Sequence, residues 1–303
     1  GVPAAPMLTI SRLPSAFFAI ANSARSSSWI CSRSAMSANR RRIASNGIGR
    51  KSKRWQRERI VCRILWGSVV ASTKTTPREW LEDGLAHVPE GVHAEAHLRR
   101  ADSITQGLLE AATDPDRGDA GLIVVGTYHR VRSGRFGLGS LADALLHASA
   151  VPVALAPAGY PGHPGITRIT CATGMQPGNE NLLDAAIHLA TEWKVPLRLM
   201  SLVAVGEDGR DDRRQEWTQR AEQHAATLVD KATAALPADC PVTSVVGHGE
   251  SLEDAVQGLD FSDSEVVLIG SSRLAQPKRL FLGHSASKIM RGLPVPMIVW
   301  PRA

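Results

Sequence analysis

GLIVVGTYHRVRSGRFGLGSLADALLHASAVPVALAP, residues 121–157, is the stretch from which the fold can be read. Residues 122–125 form an apolar run of the length a buried strand needs. A basic loop opening on Gly126 follows, then a helix starting at Ser140, then a second buried strand at 152–156. EVVLIGSSRLAQPKRLFLGHSASKIMRGLPVPMIVWP, residues 265–301, repeats this arrangement. Gly126 and Gly270, Gly139 and Gly283, Pro152 and Pro296, and Pro157 and Pro301 all stand 144 positions apart, so the stretches align without a gap. Duplication of this kind predicts two copies of one α/β unit.

Reading outward, the flanking segments pair in the same way. CRILWGSVVAS (62–72) matches PLRLMSLVAV (196–205) as a strand, with Ser68 opposite Ser201. Residues 77–88 read as a short helix with Pro77 at its start, where the missing N–H does no harm. GVHAEAHLRR (91–100) alternates as a strand and answers to 243–251, and the helix at 103–113 answers to 251–259. GYPGHPG (159–165) is turn chemistry and reads as a linker. Beyond it come a strand at 166–172, a helix at 179–193, a strand, a long helix at 212–236 and the remaining strands and helices. Strands alternating with helices predict right-handed crossovers and a mostly parallel, helix-covered sheet.

The match fails at the head of the chain. An offset of 133 positions places the first copy's opening strand and helix at 33–61, where RSAMSANRRRIASNGIGRKSKRWQRERIV has no strand-like run. The opening unit is therefore displaced to 8–24 or absent. Residues 1–60 hold 12 Lys/Arg against the single acid Glu58, while the rest holds 23 bases against 28 acids. The net charge of +6 and the pI near 9.5 belong to the head, and the body is mildly acidic. Nucleic-acid binding by the body does not follow from the total. The head itself reads as a disordered basic tail, an Arg- and Ser-rich transit peptide, a secretory segment around LPSAFFAIANSA, or sequence upstream of the true start. A nucleic-acid or membrane-surface arm at 40–42 and 50–59, with Trp55 as its one stacking aromatic, is the weaker reading.

A chain of 303 residues has room for two ordinary domains, and 43% hydrophobic content supplies a core for each. No run approaches the roughly 18 apolar residues of a membrane helix. Cys31, Cys62, Cys171 and Cys240 lack metal spacing or a disulfide framework, which suits a reducing cytoplasm.

With these motifs in view, the chain resembles a tandem universal stress protein over residues 62–303. That family's signature is Gly, two residues, Gly, nine residues, Gly, then Ser or Thr. The first copy supplies Gly126, His129 in place of the second glycine, Gly139 and Ser140. The second supplies Gly270, Arg273 in place of the second glycine, and Gly283, with His284 where the hydroxyl belongs and Ser285 next to it. The resemblance implies two tandem domains, each a parallel five-stranded sheet of order 3-2-1-4-5 flanked by helices and abutting its neighbour through the last strand. The expected division is an atypical segment at 1–60, an incomplete first repeat at 61–158, a linker at 159–165 and a second repeat at 166–303. Some family members bind ATP and others do not. In binders an Asp ending the first strand holds the nucleoside, whereas the second copy has Ala172-Thr173-Gly174-Met175 there.

A glycine loop entering a helix N-terminus is an anion cradle, because the first N–H groups lack intrahelical partners. Gly139-Ser140 stands in such a place, with Arg130, Arg132 and Arg135 nearby in sequence. Ser140 and Asp143 also have the spacing of a capping box, which would satisfy the same N–H groups internally. In the second copy, Arg273, Lys278 and Arg279 give a basic loop, although Arg273 is bulky where glycine is usual. The candidate site residues are thus Gly126, His129, Gly139 and Ser140 in the first copy. In the second they are Ala172, Thr173, Gly270, Arg273, Gly283, His284 and Ser285. The expected ligand is ATP, with no metal beyond nucleotide-associated Mg. His93, Glu95 and His97 share one face of a strand, but read as the wet face of an edge rather than as ligands.

No G-x-x-x-x-G-K-[ST] and no G-x-S-x-G occurs, and no Cys/His pairing stands out. The expectation is a cytoplasmic, non-enzymatic regulatory module whose two repeats pair within the chain, with homodimerisation open. Two rivals remain. One is an ATP-dependent enzyme of the wider adenine-nucleotide hydrolase-like group, for which 172–179 would be the phosphate loop; the other is a degenerate scaffold that binds nothing.

Overall fold

The computed structural model describes residues 4–10, 59–62, 85–86, 94–113, 120–126, 139–157, 160, 165–174, 180–204, 211–272, 275 and 279–302. Its strands are β1 (Ala4–Ile10), β2 (Arg59–Cys62), β3 (Ala94–Arg100), β4 (Ala120–Gly126), β5 (Val153–Ala156), β6 (Arg168–Ala172), β7 (Leu197–Ala204), β8 (Val242–Gly249), β9 (Glu265–Gly270) and β10 (Met297–Trp300). The helices of the described residues are α1 (Ile104–Ala112), α2 (Ser140–Ala148), α3 (Glu180–Trp193), α4 (Asp211–Ala235), α5 (Leu252–Gln257) and α6 (His284–Gly292).

All ten strands share one sheet in the order β3-β1-β2-β4-β5-β10-β9-β6-β7-β8. From β10 to β8 every neighbour is parallel. β5, β9 and β10 lie at the middle of this sheet and are buried almost throughout. That is why, apart from Glu265 at the start of β9, they read as apolar runs rather than alternating ones. β8 is an edge, and Thr243, Ser244 and His248 on it are exposed. The halves join where β5 meets β10 antiparallel, with Ala154 opposite Ile298.

The N-terminal half departs from the expected parallel sheet. β1 lies between β3 and β2 and runs antiparallel to both, while β2, β4 and β5 are mutually parallel neighbours. An apolar pattern places a strand in a sheet but does not set its direction, because side-chain alternation is the same either way. The strand expected at 62–72 is described only as Arg59–Cys62, and the rest of that stretch lies outside the described residues. The same holds for most of the helix expected at 77–88 and for His93; Glu95 and His97 lie on β3 at the sheet's other edge.

Local chemistry explains the helix starts. Ser103 caps α1 by accepting a bond from the Gln106 amide at 3.1 Å. Ser251 and Asp254 form a reciprocal capping box on α5. α5 lies close on β8, because a Cβ on Gly249 would stand 2.4 Å from the Ala255 nitrogen. The expected box on α2 does not form. Gly139 is the cap residue there, without a side-chain bond, and Ser140 is already the first helical residue. One position too far along the chain, its hydroxyl does not serve as the cap.

At the amino ends of β6, β7 and β9 lies a buried charged cluster that composition and motifs did not reveal. Glu265 is fully buried and accepts from Arg198 Nη2 at 2.7 Å, from Arg168 and from the Thr170 hydroxyl. Arg198 also donates to Thr170 Oγ1 at 2.9 Å and to the Asp260 carbonyl at 2.9 Å, with its guanidinium over the Phe261 ring. Burial lowers the pKa of this guanidinium, and Glu265 opposes that shift. Among the described residues, no helix is long and apolar enough to cross a membrane.

Candidate functional site

In a parallel α/β sheet, ligands bind beyond the carboxyl ends of the strands, where strand order reverses. In the C-terminal half this point lies between β6 and β9: the chain passes from β6 outward to β7 and β8, then returns to β9 on β6's other side. Pairing of Cys171 with Leu268 brings Ala172 and Thr173 to the same end of the sheet as Gly270. The buried charges around Glu265 are at the opposite end, which separates them from this site.

Thr173 follows β6 and is buried. Its amide donates to the Met200 carbonyl at 2.8 Å, and its hydroxyl bonds the same carbonyl and Ser201 Oγ, each at 3.2 Å. Across the switch point, Ser271 and Ser272 follow β9 and hold the loop that leads to α6. Ser271 Oγ accepts from the Phe281 amide at 2.8 Å, and the Ser272 amide donates to the Phe281 carbonyl at 2.9 Å. Gly283 then caps α6, and a Cβ there would stand 2.9 Å from Ser272 Cβ. The motif's third glycine thus has an internal reason, close approach to Ser272. No side chain caps α6, and His284 and Ser285 are exposed in its first turn. Such a helix start offers amide donors to an anion.

Structure therefore brings Ala172, Thr173, Gly270, Gly283, His284 and Ser285 to one end of the C-terminal half. Gly126, Gly139 and Ser140 hold the corresponding places in the N-terminal half, and Gly139 also caps its helix without a side-chain bond. Because β5 and β10 are antiparallel, this second set lies at the other end of the strands. The two candidate cradles do not share a site. His129 and Arg273 lie outside the described residues, as do Arg130, Arg132, Arg135 and Lys278. Ser271 and Ser272 were missed by sequence reasoning, although both directly follow the motif's first glycine. The carboxylate expected of a nucleoside site at the end of β6 is replaced by Ala172-Thr173. Among the described residues no group of three or more His, Cys, Asp or Glu could hold a metal ion.

Residues 165–301 match the universal stress protein family. That segment takes in β6 to β10 and both sides of the switch point. A universal stress protein of Mycobacterium tuberculosis (strain ATCC 25618 / H37Rv) is 28% identical over 227 residues, covering 72% of this chain and 75% of the relative. Among solved structures, a universal stress protein from Archaeoglobus fulgidus DSM 4304 aligns with 17% identity over 75% of this chain and 76% of that one, at a TM-score of 0.46. Another universal stress protein from Archaeoglobus fulgidus, in complex with dAMP, aligns with 14% identity over 45% of this chain and 97% of that one, at a TM-score of 0.32.

Proposed function

We propose that this chain is a tandem universal stress protein acting without catalysis, as a regulatory module, and that its C-terminal half takes ATP beyond β6 and β9. The observation that carries the reading is the coincidence, inside the family-matched segment, of the strand-order reversal with a helix start that no side chain caps. Phosphate oxygens would meet the first amides of α6 beside His284 and Ser285, and the base would lie toward Thr173. Without a carboxylate at the end of β6, the nucleoside is held less firmly than the phosphates. A cytoplasmic setting belongs to the same proposal and is supported by Cys171 and Cys240, both buried free thiols.

Titration of the full chain with millimolar ATP, followed by calorimetry and thermal melting, tests this. Binding stabilises the folded state by about 2.7 kcal/mol when ATP stands at one hundred times Kd. Absence of both heat and a melting shift would overturn nucleotide binding and leave a scaffold. A specific observation favours that second reading: the hydroxyls of Thr173 and Ser271 are already bonded within the protein. Release of ADP or AMP from ATP by the purified chain would instead point to the enzyme.

A further inference from the structure

α2 leaves the carboxyl end of β4 and must run back to the start of β5. β5 is antiparallel to β10, so the end of α2 lies at the carboxyl end of β10, on the same side as the loop joining β9 to α6. The two meet there. The Leu280 amide donates to the Ser149 carbonyl at 2.8 Å, and both residues are buried, so neither group has water as an alternative partner. Ser149 is itself held, its hydroxyl donating to the Val151 carbonyl at 2.7 Å. Beside this bond, the His147 and Phe281 rings meet edge to face with centroids 5.0 Å apart. His147 Nδ1 lies 2.7 Å from the Asp143 carbonyl, an acceptor only, so that nitrogen carries the proton and the ring is oriented.

Leu280 and Phe281 are therefore tied to the N-terminal half, while Ser271 and Ser272 tie Phe281 to the end of β9. Gly283 and the first turn of α6 follow within two residues. We infer that the end of α2 positions the entry of α6, so that the C-terminal nucleotide site is completed by the other half of the chain, with His147 as a positioning residue. This rests on the nucleotide reading above, but the anchoring can be tested apart from it.

In the full chain, hydrogen exchange of the Leu280 and Phe281 amides and the Kd for ATP are measured for wild type, His147→Ala and His147→Phe. His147→Ala is expected to speed exchange at both amides and to raise Kd about two- to tenfold, the range of an edge-to-face pair. His147→Phe keeps the ring and is expected to restore both. Unchanged exchange in His147→Ala overturns the inference whatever ATP does. Faster exchange with an unchanged Kd also overturns it, because the anchor then has no effect on the site. Faster exchange in a protein whose wild type does not bind ATP supports the anchoring and overturns the nucleotide reading instead.

Discussion

Gly283 stands where α6 begins, and its missing side chain lets Ser272 lie against the helix entry. Gly283→Ala would place a Cβ 2.9 Å from Ser272 Cβ and 3.0 Å from its Oγ. Denaturant unfolding is expected to show a loss of about 1–3 kcal/mol, the cost of an overpacked contact. A loss under half a kilocalorie would mean that the loop yields freely. Glu265→Gln leaves Arg198 buried without its carboxylate, and the same measurement is expected to show about 3–5 kcal/mol lost. Cys171 is fully buried, and burial pushes its thiol up to about 12. An exposed thiol ionises near pH 9 and this one does not, so its contribution to stability is intact below about pH 9. It is lost progressively as pH rises from there to about 12. Native protein at pH 8 is expected to leave Cys171 unmodified by a thiol reagent that labels it in denaturant; rapid native labelling would contradict its burial.

Among the elements, α5 shows how a short helix depends on its ends. It has six residues, too few to be stable alone, and starts from the Ser251–Asp254 box. Ser251→Ala is expected to cost about 1 kcal/mol in a chemical melt, and no change would mean that packing against β8 alone holds it. The helix at 251–259 was legible because cap, acidic residue and apolar positions fall in one short window. α2 shows the limit of such reading. Ser140 and Asp143 have the spacing of a box, but spacing does not say which residue leaves the helix, and Gly139 does so. β10 and, past Glu265, β9 were legible as buried strands because their residues are apolar enough to be covered on both sides. Arg198 and Glu265 were not, since their partners are 67 positions apart and meet only through strand register.

For the whole molecule, continuity across β5 and β10 decides whether the halves behave as one body. Ala154 is fully buried and pairs with both Val124 and Ile298. Ala154→Pro removes an amide from the middle of the sheet. Calorimetry is expected to show a lower first transition and two unfolding events in place of one, whereas a single undivided transition would argue that the join carries little of the cooperativity. By itself the sequence determined the kind of unit, an α/β one, and the places of its motif glycines, because apolar runs and spacing are local properties of a chain. Only the tertiary structure decided that β1 runs antiparallel, that the two glycine cradles lie at opposite ends of one sheet, and that Ser149 meets Leu280. Those depend on strand direction and on contacts between residues far apart in the chain, which no local pattern contains.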